Sequence, residues 1–429
     1  MPGPARTSAS IALALALGAS RPAQASPEDL FGFGPHASAM GGTGAAAAQG
    51  FEAVHGNPAL LSLEHERSLT LGFQAARFDL HADGPNAPGA MSVDPMQGVL
   101  IGAVLPIPFG GALERRVTLG FGFFTPTGVV VRGKILYPEK PSYALLADRA
   151  QSVAVQAGLG ADLGYGVRVG AGFAALAAIA GDVVVATNAS GQIGTTVDDQ
   201  LVAAYGPIVG ATYDLGAGYR VGATYRGVLQ GRFAVTIRVY DLGSITVPPF
   251  NIAGVAQYDP WQVQGEVVKD AGPWRFVAGA TFKRWSAYPG APEPTVLCPD
   301  EQPDCKALRP SAPGFHDTIV PRVGLDRRFD DTGNGTMHLR FGAFYEPSPA
   351  PAQTREGNLL DDDRVALTLG GGLELPRAPL FFDVFAQAHY LVPRTTVKDA
   401  DVSPDNAGAP SVKTHGTVLM AGMTAGVRF

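Results

Sequence analysis

The chain is poor in cysteine, in charge and in long hydrophobic runs. Of its 429 residues two are cysteines and 16% are charged, and the formal net charge is −6. This balance provides no basic surface, so the composition argues against a nucleic-acid partner. No stretch reaches the ~20 apolar residues that a membrane-spanning helix needs. These absences exclude a helical membrane protein and a nucleic-acid-binding protein.

Motifs of catalysis and metal binding are missing as well. The sequence contains no Gly-x-Ser-x-Gly elbow, and its eight histidines are scattered, with His338 in one of the strands of clearest alternation. The glycines at 41–44 are not followed by a lysine, so they do not form a phosphate-binding loop. We therefore predict no enzyme, no cofactor and no metal site.

The first 25 residues have the features of a secretory signal peptide. Arg6 supplies a positive charge, residues 11–19 form an apolar core, and 23–25 is a small-residue cleavage site. The apolar core is too short for a membrane anchor. We predict a signal peptide at 1–25 and a mature chain that starts near Ser26.

The mature chain alternates apolar with small or polar residues over many short segments. The clearest one is the C-terminus, where Leu419, Met423 and Val427 share one face and the last residue is Phe429. Similar alternation occupies 219–229, 274–282, 337–346 and 364–374. A mean hydropathy of +0.11 agrees with strands that turn only every second residue toward lipid.

These segments predict an all-β fold, a transmembrane antiparallel β-barrel of about 14 strands. Connections are alternately short, such as 164–166 and 216–218, and long, such as 287–314 and 392–414, as in barrels with periplasmic turns and extracellular loops. Candidate strands lie at 68–79, 97–107, 117–124, 151–163, 167–185, 200–214, 219–235, 262–268, 274–285, 318–329, 337–346, 364–373, 380–390 and 416–429. A soluble β-sandwich would also alternate, so the interpretation depends on the signal peptide, Phe429 and the loop asymmetry together.

Residues 26–66, ahead of the first strand, have no strand character. They contain an alanine run, 45–48, which is the best helical stretch of the mature chain, with glycines around it that permit sharp turns. We predict that 26–66 form a hatch that plugs the lumen of a barrel made by 67–429. A disordered periplasmic arm is the alternative.

The chain resembles the outer-membrane long-chain fatty acid transporters of the FadL type. The likeness rests on the glycine-rich run 41–48, on Asn57-Pro58-Ala59-Leu60 before the first strand, and on the Ser-Pro segment 346–355 with the later Asp363-Arg364. Tyr225-Arg226-Gly227 and Trp285-Ser286 also match. One difference is that residues 49–52 lack the paired aspartates that are frequent in the family. Glu52 could replace part of the hydrogen bonding by which those aspartates hold the hatch.

The resemblance implies passive uptake of long-chain fatty acids or similar hydrophobic compounds. The compound would be captured at the outer surface, pass a hatch-gated site and leave sideways through the barrel wall. We expect a monomer in the Gram-negative outer membrane, in contact with lipopolysaccharide and recognised by the barrel-assembly machinery through Phe429. A porin for small polar solutes and a structural barrel are the alternatives.

Candidate site residues follow from this implied mechanism. For apolar ligand contacts they are Phe31 and Phe33, which could instead anchor the hatch to the wall. For a ligand carboxylate they are Arg220, Arg226 and Arg340, which could instead form a charge ladder with Glu346 and Glu374. For the gate they are Asn57, Pro58 and Ala59.

Two further features concern the loops. Cys298 and Cys305 share one predicted loop, and in an exported protein we expect a disulfide between them rather than a metal site. The acidic run 361–363 could bind a divalent cation or form a solvated rim.

Overall fold

The computed structural model describes residues 27–127, 139–148, 153–187, 193–240, 250–290, 293–296, 313–331, 335–375 and 378–429. Fourteen of its strands form one closed antiparallel barrel. In chain order they are β1 (Ser68–Asp83), β2 (Met96–Pro106), β3 (Val117–Pro126), β4 (Ala154–Gly164), β5 (Val167–Thr187), β6 (Ile193–Gly216), β7 (Tyr219–Arg226), β8 (Gln262–Ala271), β9 (Trp274–Lys283), β10 (Thr318–Asp331), β11 (Gly335–Glu346), β12 (Arg364–Glu374), β13 (Leu380–Val397) and β14 (Ser411–Arg428). The predicted fold class is confirmed, and each predicted strand overlaps one barrel strand.

The barrel closes where its first and last strands meet. Each barrel strand pairs with the next, and β1 pairs with β14 in a continuous register from Ser68 and Arg428 to Asp83 and Lys413. The short connections lie at the rim where β1 begins and β14 ends. Between β4 and β5, for example, Tyr165 takes a left-handed φ of 54° in a tight turn flanked by glycines.

One predicted strand is wrong in extent. The segment 219–235 is not a single strand, because β7 ends at Arg226 and a separate strand, Leu229–Tyr240, follows it. That second strand leaves the barrel order and runs parallel to the outer part of β5. The break follows Arg226, the last residue paired with β6, and one further hydrogen bond runs from the Gly227 N–H to the Pro207 carbonyl before the chain leaves the barrel order.

One predicted loop is also wrong in extent. The loop 392–414 shortens to 398–410, because β13 and β14 pair again beyond a register shift between Leu391 and Arg394. The predicted signal peptide and the predicted disulfide between Cys298 and Cys305 lie outside the described residues.

The strands turn their apolar face outward and their polar face inward. On β12, Leu367 is 64% exposed and the next residue, Thr368, is 5% exposed. Buried polar side chains of the wall include Gln74, Gln156, Thr224, Gln264, Glu266, Thr281, Arg322, Arg340 and Gln387. A soluble sandwich has the reverse arrangement, so this distribution requires lipid around the protein.

The N-terminal segment, residues 27–66, packs against the inner wall of the barrel over its length up to Ser62, and its last residues, His65 and Glu66, are exposed. It consists of short turns: α1 (Pro27–Phe31), α2 (Pro35–Ala39), a 3-10 turn (Gly50–Glu52), α3 (Ala53–Gly56) and a second 3-10 turn (Pro58–Leu63). Nearly every residue up to Ser62 is buried. Within the described residues, no helix is long and apolar enough to cross a membrane.

The alanine run at 45–48 is not helical, contrary to its propensity. Ala45–Ala47 form a turn, and the Ala48 N–H donates to the Gly44 carbonyl at 3.2 Å. The physical reason is a partner outside the run, because the Glu266 carboxylate on β8 takes the N–H groups of Gly44 and Ala46.

Glycines of the inner wall make room for the N-terminal segment. A Cβ on Gly210 would lie 1.9 Å from Asn57 Oδ1, and one on Gly222 would lie 2.0 Å from the Ala45 carbonyl oxygen. Both distances are far inside van der Waals contact, so only glycine fits. Comparable clashes with the segment would arise at Gly102, Gly120, Gly122, Gly160, Gly170, Gly324, Gly342 and Gly370.

We expect Gly210→Ala to destabilise the folded protein by about 1–3 kcal/mol, because the added methyl group overpacks the contact with Asn57. The matched control is Gly265→Ala on β8, where an added Cβ meets nothing within 4 Å. The measurement is the temperature at which the purified barrel unfolds in detergent, read from heat-dependent gel mobility. Equal temperatures for the two variants would contradict the close fit.

Candidate functional site

The N-terminal segment is attached to the wall through a carboxylate beneath its central turn. Glu266 on β8 accepts hydrogen bonds from the Gly44 and Ala46 N–H groups, both at 2.8 Å, and from Gln264 at 2.6 Å. Glu266 is 4% exposed. Charge-assisted hydrogen bonds of this kind contribute more to stability than neutral ones. Glu266 therefore orders the turn at Ala45–Ala47, which is not helical.

Asn57 joins two parts of the segment to the wall. Its amide N–H₂ donates to the Ala45 carbonyl at 2.6 Å and to the Ala211 carbonyl on β6 at 3.1 Å. Its amide oxygen accepts from the Ala59 N–H at 3.0 Å and so caps the turn that starts at Pro58. The structure therefore places the predicted gate residues Asn57, Pro58 and Ala59 at one junction.

A second set of wall side chains holds the α2 region. Thr368 accepts from the Gly41 N–H at 3.0 Å and donates to the Ala39 carbonyl at 2.7 Å. Gln387 on β13 donates to two carbonyls of the segment, those of Phe31 at 2.7 Å and Ser38 at 2.9 Å. The backbone groups that short helices leave unpaired thus find partners on the wall.

A buried ion cluster holds α1. The Lys283 ammonium on β9 is fully buried and lies 2.8 Å from Asp29 of α1 and 2.7 Å from Glu346 of β11. Glu346 also pairs with Arg364. Because removing one member would leave an uncompensated buried charge, this cluster strongly favours the seated position of α1.

Glu52 supplies hydrogen bonding inside the segment. Its two carboxylate oxygens accept from the His36 N–H at 2.8 Å and the Ala37 N–H at 2.7 Å, at the start of α2. Glu52 thus fixes the two halves of the segment together, the role suggested for it at 49–52. Burial raises the pKa of Glu52 from 4.5 to about 8, although both N–H donors lower it.

Phe31 and Phe33 lie against the wall and the rest of the segment. Phe31 is 1% exposed and meets the His389 ring at 5.5 Å between centroids, while Phe33 meets the Phe51 ring at 5.6 Å. Both belong to one contiguous apolar cluster that reaches from the segment to the extracellular side. Its outer members include Phe78, Leu80, Tyr143, Leu146, Leu360, Leu391 and Val412.

A separate aromatic cluster lies at the extracellular end. Tyr258, Trp285, Tyr288 and Phe315 are all buried, and the closest pair, Tyr288 and Phe315, has ring centroids 4.7 Å apart. Leu145 packs with them. Apolar surface is therefore present both at the mouth of the barrel and next to the N-terminal segment.

The three predicted carboxylate ligands already have protein partners. Arg226 donates to the His55 carbonyl at 3.2 Å and to Gln264 at 2.9 Å. Arg220 donates to Asp214 at 2.7 Å near the periplasmic rim. These contacts favour the alternative interpretation, an internal network of charges and hydrogen bonds.

Arg340, the third candidate, pairs with Asp383 at 2.5 Å and with Asp326 at 3.5 Å. Arg340 therefore pairs with Asp383 and Asp326, and not with the predicted ladder members Glu346 and Glu374. Glu374 pairs with Arg428 at 3.0 Å, at the rim where Arg220 and Asp214 also lie.

The acidic run at 361–363 is not a solvated rim. Asp362 is 2% exposed and accepts from the Thr414 hydroxyl at 2.6 Å and the Tyr143 hydroxyl at 3.0 Å. Asp363 accepts from the Ser348 N–H at 2.8 Å. The run therefore connects the loop after β11 to Tyr143 in the loop after β3 and to Thr414 on β14.

One small cavity and one larger depression border the described residues that hold the segment. A polar cavity of about 20 Å³ lies between Arg226, Arg322 and Glu52, enough for roughly one water. A larger depression of about 1150 Å³ is lined by the strands next to the seam, including the exposed Leu367 and Leu419 and the buried Met96 and Gln387. Among the residues that the structure describes, the segment is packed closely against the inner wall.

Comparison with known proteins identifies the architecture. The family described as outer membrane protein transport protein (OMPP1/FadL/TodX) matches residues 29–429. The chain belongs to this family. Alkane uptake protein A of Marinobacter nauticus is 23% identical to this chain over 344 residues, which cover 74% of this chain and 72% of that protein.

Solved structures share the fold of this OMPP1/FadL/TodX family member. A Pseudomonas aeruginosa FadL homologue superposes with a TM-score of 0.62 at 15% identity, covering 96% of this chain and 99% of its own. The P. putida toluene transporter TodX superposes with a TM-score of 0.54 at 15% identity, covering 94% and 99%. The family and the barrel together place the protein in the outer membrane.

Sequence reasoning missed the residues that hold the segment in this family member. Glu266, Lys283 and Asp29 each looked like ordinary polar positions. One signal could have found the first two, since each falls on an inward-facing position of a strand where a charge must be paired. Their partners on the segment are more than 200 positions away in the chain.

We expect Glu266→Gln to weaken the central turn of the segment, because an amide cannot accept both N–H groups as a carboxylate does. The cost should be about 1.5–3 kcal/mol for each charge-assisted hydrogen bond lost. Hydrogen exchange at the Gly44 and Ala46 amides is the measurement. The control is Glu374→Gln, whose partner is Arg428 at the rim; unchanged exchange in Glu266→Gln would refute the assigned role.

We expect the contribution of Glu52 to the stability of the segment to fall as the pH rises from 4.5 toward 8. The folded pKa of Glu52 is raised, so its contribution is fully present below 4.5 and is lost as the pH rises through about 8. Glu52→Gln, which resembles the protonated form, should remove this dependence. Hydrogen exchange of residues 36–52 at several pH values tests the prediction, and an identical pH profile in the variant would count against it.

Proposed function

We propose that this protein is an outer-membrane channel for the passive uptake of hydrophobic compounds, without catalytic activity. The observation that carries the proposal is the contiguous apolar cluster from the extracellular side to Phe31 and Phe33 of the N-terminal segment. Each methylene group that moves from water onto such a surface contributes about 0.8 kcal/mol. An apolar path therefore lowers the barrier that the polar lipopolysaccharide layer presents.

The porin alternative fits the geometry poorly. A porin needs an open aqueous lumen, whereas here the buried N-terminal segment fills the barrel and is tied to it by Glu266, Asn57 and Lys283. We propose that this segment is the hatch, and that its displacement opens the path. Phe31 and Phe33 would then be exposed to the passing compound.

Within hydrophobic compounds, the contacts favour uncharged hydrocarbons over fatty acids. A fatty acid needs a cation for its carboxylate, and Arg220, Arg226 and Arg340 all have acceptors within the protein. Relatives named for alkane uptake and toluene transport agree with this preference. The Nε groups of Arg226 and Arg340 lack a hydrogen-bond acceptor among the described residues, but both are buried, so a fatty acid would have to enter the wall network to reach them.

The proposed route begins at the extracellular aromatic cluster and passes the hatch. Sideways release would need the wall to open, because within the described residues each barrel strand is hydrogen-bonded to both of its neighbours. We propose that hatch movement and strand separation occur together. The proposal has three further parts. Lipopolysaccharide surrounds the outer rim, the barrel-assembly machinery recognises Phe429, and the protein is a monomer.

Uptake of labelled compounds by a transporter-null Gram-negative host tests this function. Cells expressing the chain should take up toluene or an alkane severalfold faster than cells with an empty vector, and oleate and a small sugar should show little gain. Asn57→Ala should change the rate of hydrocarbon entry and admit some sugar, because the hatch loses the wall contacts that Asn57 makes. Gly265→Ala should behave as the unchanged protein.

Three outcomes would decide against the proposal in different ways. Sugar entry equal to toluene entry in the unchanged protein would indicate a porin. Oleate entry above toluene entry would restore the fatty-acid interpretation. Equal entry of all compounds with and without expression would indicate a structural barrel.

A further inference from the structure

Two histidines lie side by side on the outer face of the barrel seam. His81 of β1 and His415 of β14 are directly opposite in the strand register. Their rings are stacked, with centroids 4.9 Å apart and planes 4° from parallel. Because Leu80 and Ala82 are buried toward the lumen, the alternation of the strand directs His81 outward.

The pair lies above the lipid-facing belt of the seam. Outward positions of β1 are apolar from Leu69 to Ala75 and polar from Arg77 onward. His81 is six residues beyond Ala75, which at about 3.4 Å per residue along a tilted strand corresponds to the polar headgroup level. Ions from outside the cell can therefore reach the pair.

Each imidazole already faces a carboxylate. His415 Nε2 is 2.8 Å from Asp83 Oδ2, and His81 Nε2 is 3.2 Å from Asp79 Oδ1. One donor atom each from His81, Asp83 and His415 lies within 4.8 Å of the others. These side chains are 31%, 51% and 34% exposed, so small rotations can bring the atoms together.

The donor set selects the kind of ion. Two imidazole nitrogens and a carboxylate oxygen suit zinc and similar transition metals, which bind such atoms at about 2.0–2.2 Å. Calcium and magnesium prefer oxygen ligands throughout, so two imidazoles argue against them. Three protein ligands leave a further position for water or an anionic headgroup.

We propose that His81, Asp83 and His415 form a binding site for a divalent transition-metal ion of the zinc class. The ion would join the first and last strands at the outer end of the seam. The His81 carbonyl also accepts from the Tyr143 hydroxyl at 3.2 Å, so the site is connected to the extracellular loops. It lies outside the lumen and is independent of the proposed transport function.

Calorimetric titration of the full-length, untagged protein in detergent with ZnCl₂ tests the site. The unchanged protein should bind one zinc ion and unfold at a higher temperature with zinc present, because the ligand binds only the folded barrel. CaCl₂ should give neither effect. Since supporting partners alone change metal affinity by about 10–100-fold, loss of both direct histidine ligands should weaken binding by more than roughly 100-fold.

The test variant is His81→Ala combined with His415→Ala, and the matched control is His316→Ala, which removes another exposed histidine. Asp83→Asn should bind zinc more weakly than the unchanged protein and still fold, which keeps the test valid if the double variant does not assemble. Zinc binding that survives in the double variant or is unaffected by Asp83→Asn would overturn the proposal. So would an unchanged protein that binds no zinc.

Discussion

The structure depends on the close fit between a short, irregular N-terminal segment and an inner wall that carries glycine at the points of contact. Gly210 and Gly222 bring the wall backbone so near that even a methyl group would collide with the segment. Close-packed interiors tolerate little change in volume, so such a surface accepts one shape. The wall and the segment must therefore be considered as one folded unit.

The same fit explains how a segment with so little regular structure stays ordered. Short helices leave many N–H and C=O groups without partners, and these groups cannot remain unpaired when buried. Glu266, Thr368 and Gln387 supply the partners from three different strands. Because each contact can be broken without unfolding a long helix, the segment suits a role in gating.

Much of the architecture follows from local sequence patterns. Alternation with period two predicts each strand wherever one face meets lipid, and Asn57 before Pro58 is recognisable because capping is decided by neighbouring residues. The site is harder to predict. Ala45–Ala47 has high helix propensity and still forms a turn, since the distant Glu266 competes for its N–H groups. Lys283 pairs with a residue of α1 that only closure of the barrel brings near.

The sequence by itself determined most of the barrel strands, a total of about 14, the short turns and the presence of a non-strand segment ahead of them, because these features depend on contacts between near neighbours. Only the tertiary structure decided that Arg226 and Arg340 are engaged within the protein, and that His81 meets His415. The physical reason is ring closure. The register between β1 and β14 joins residues more than 300 positions apart, and no local pattern records which of them will face each other.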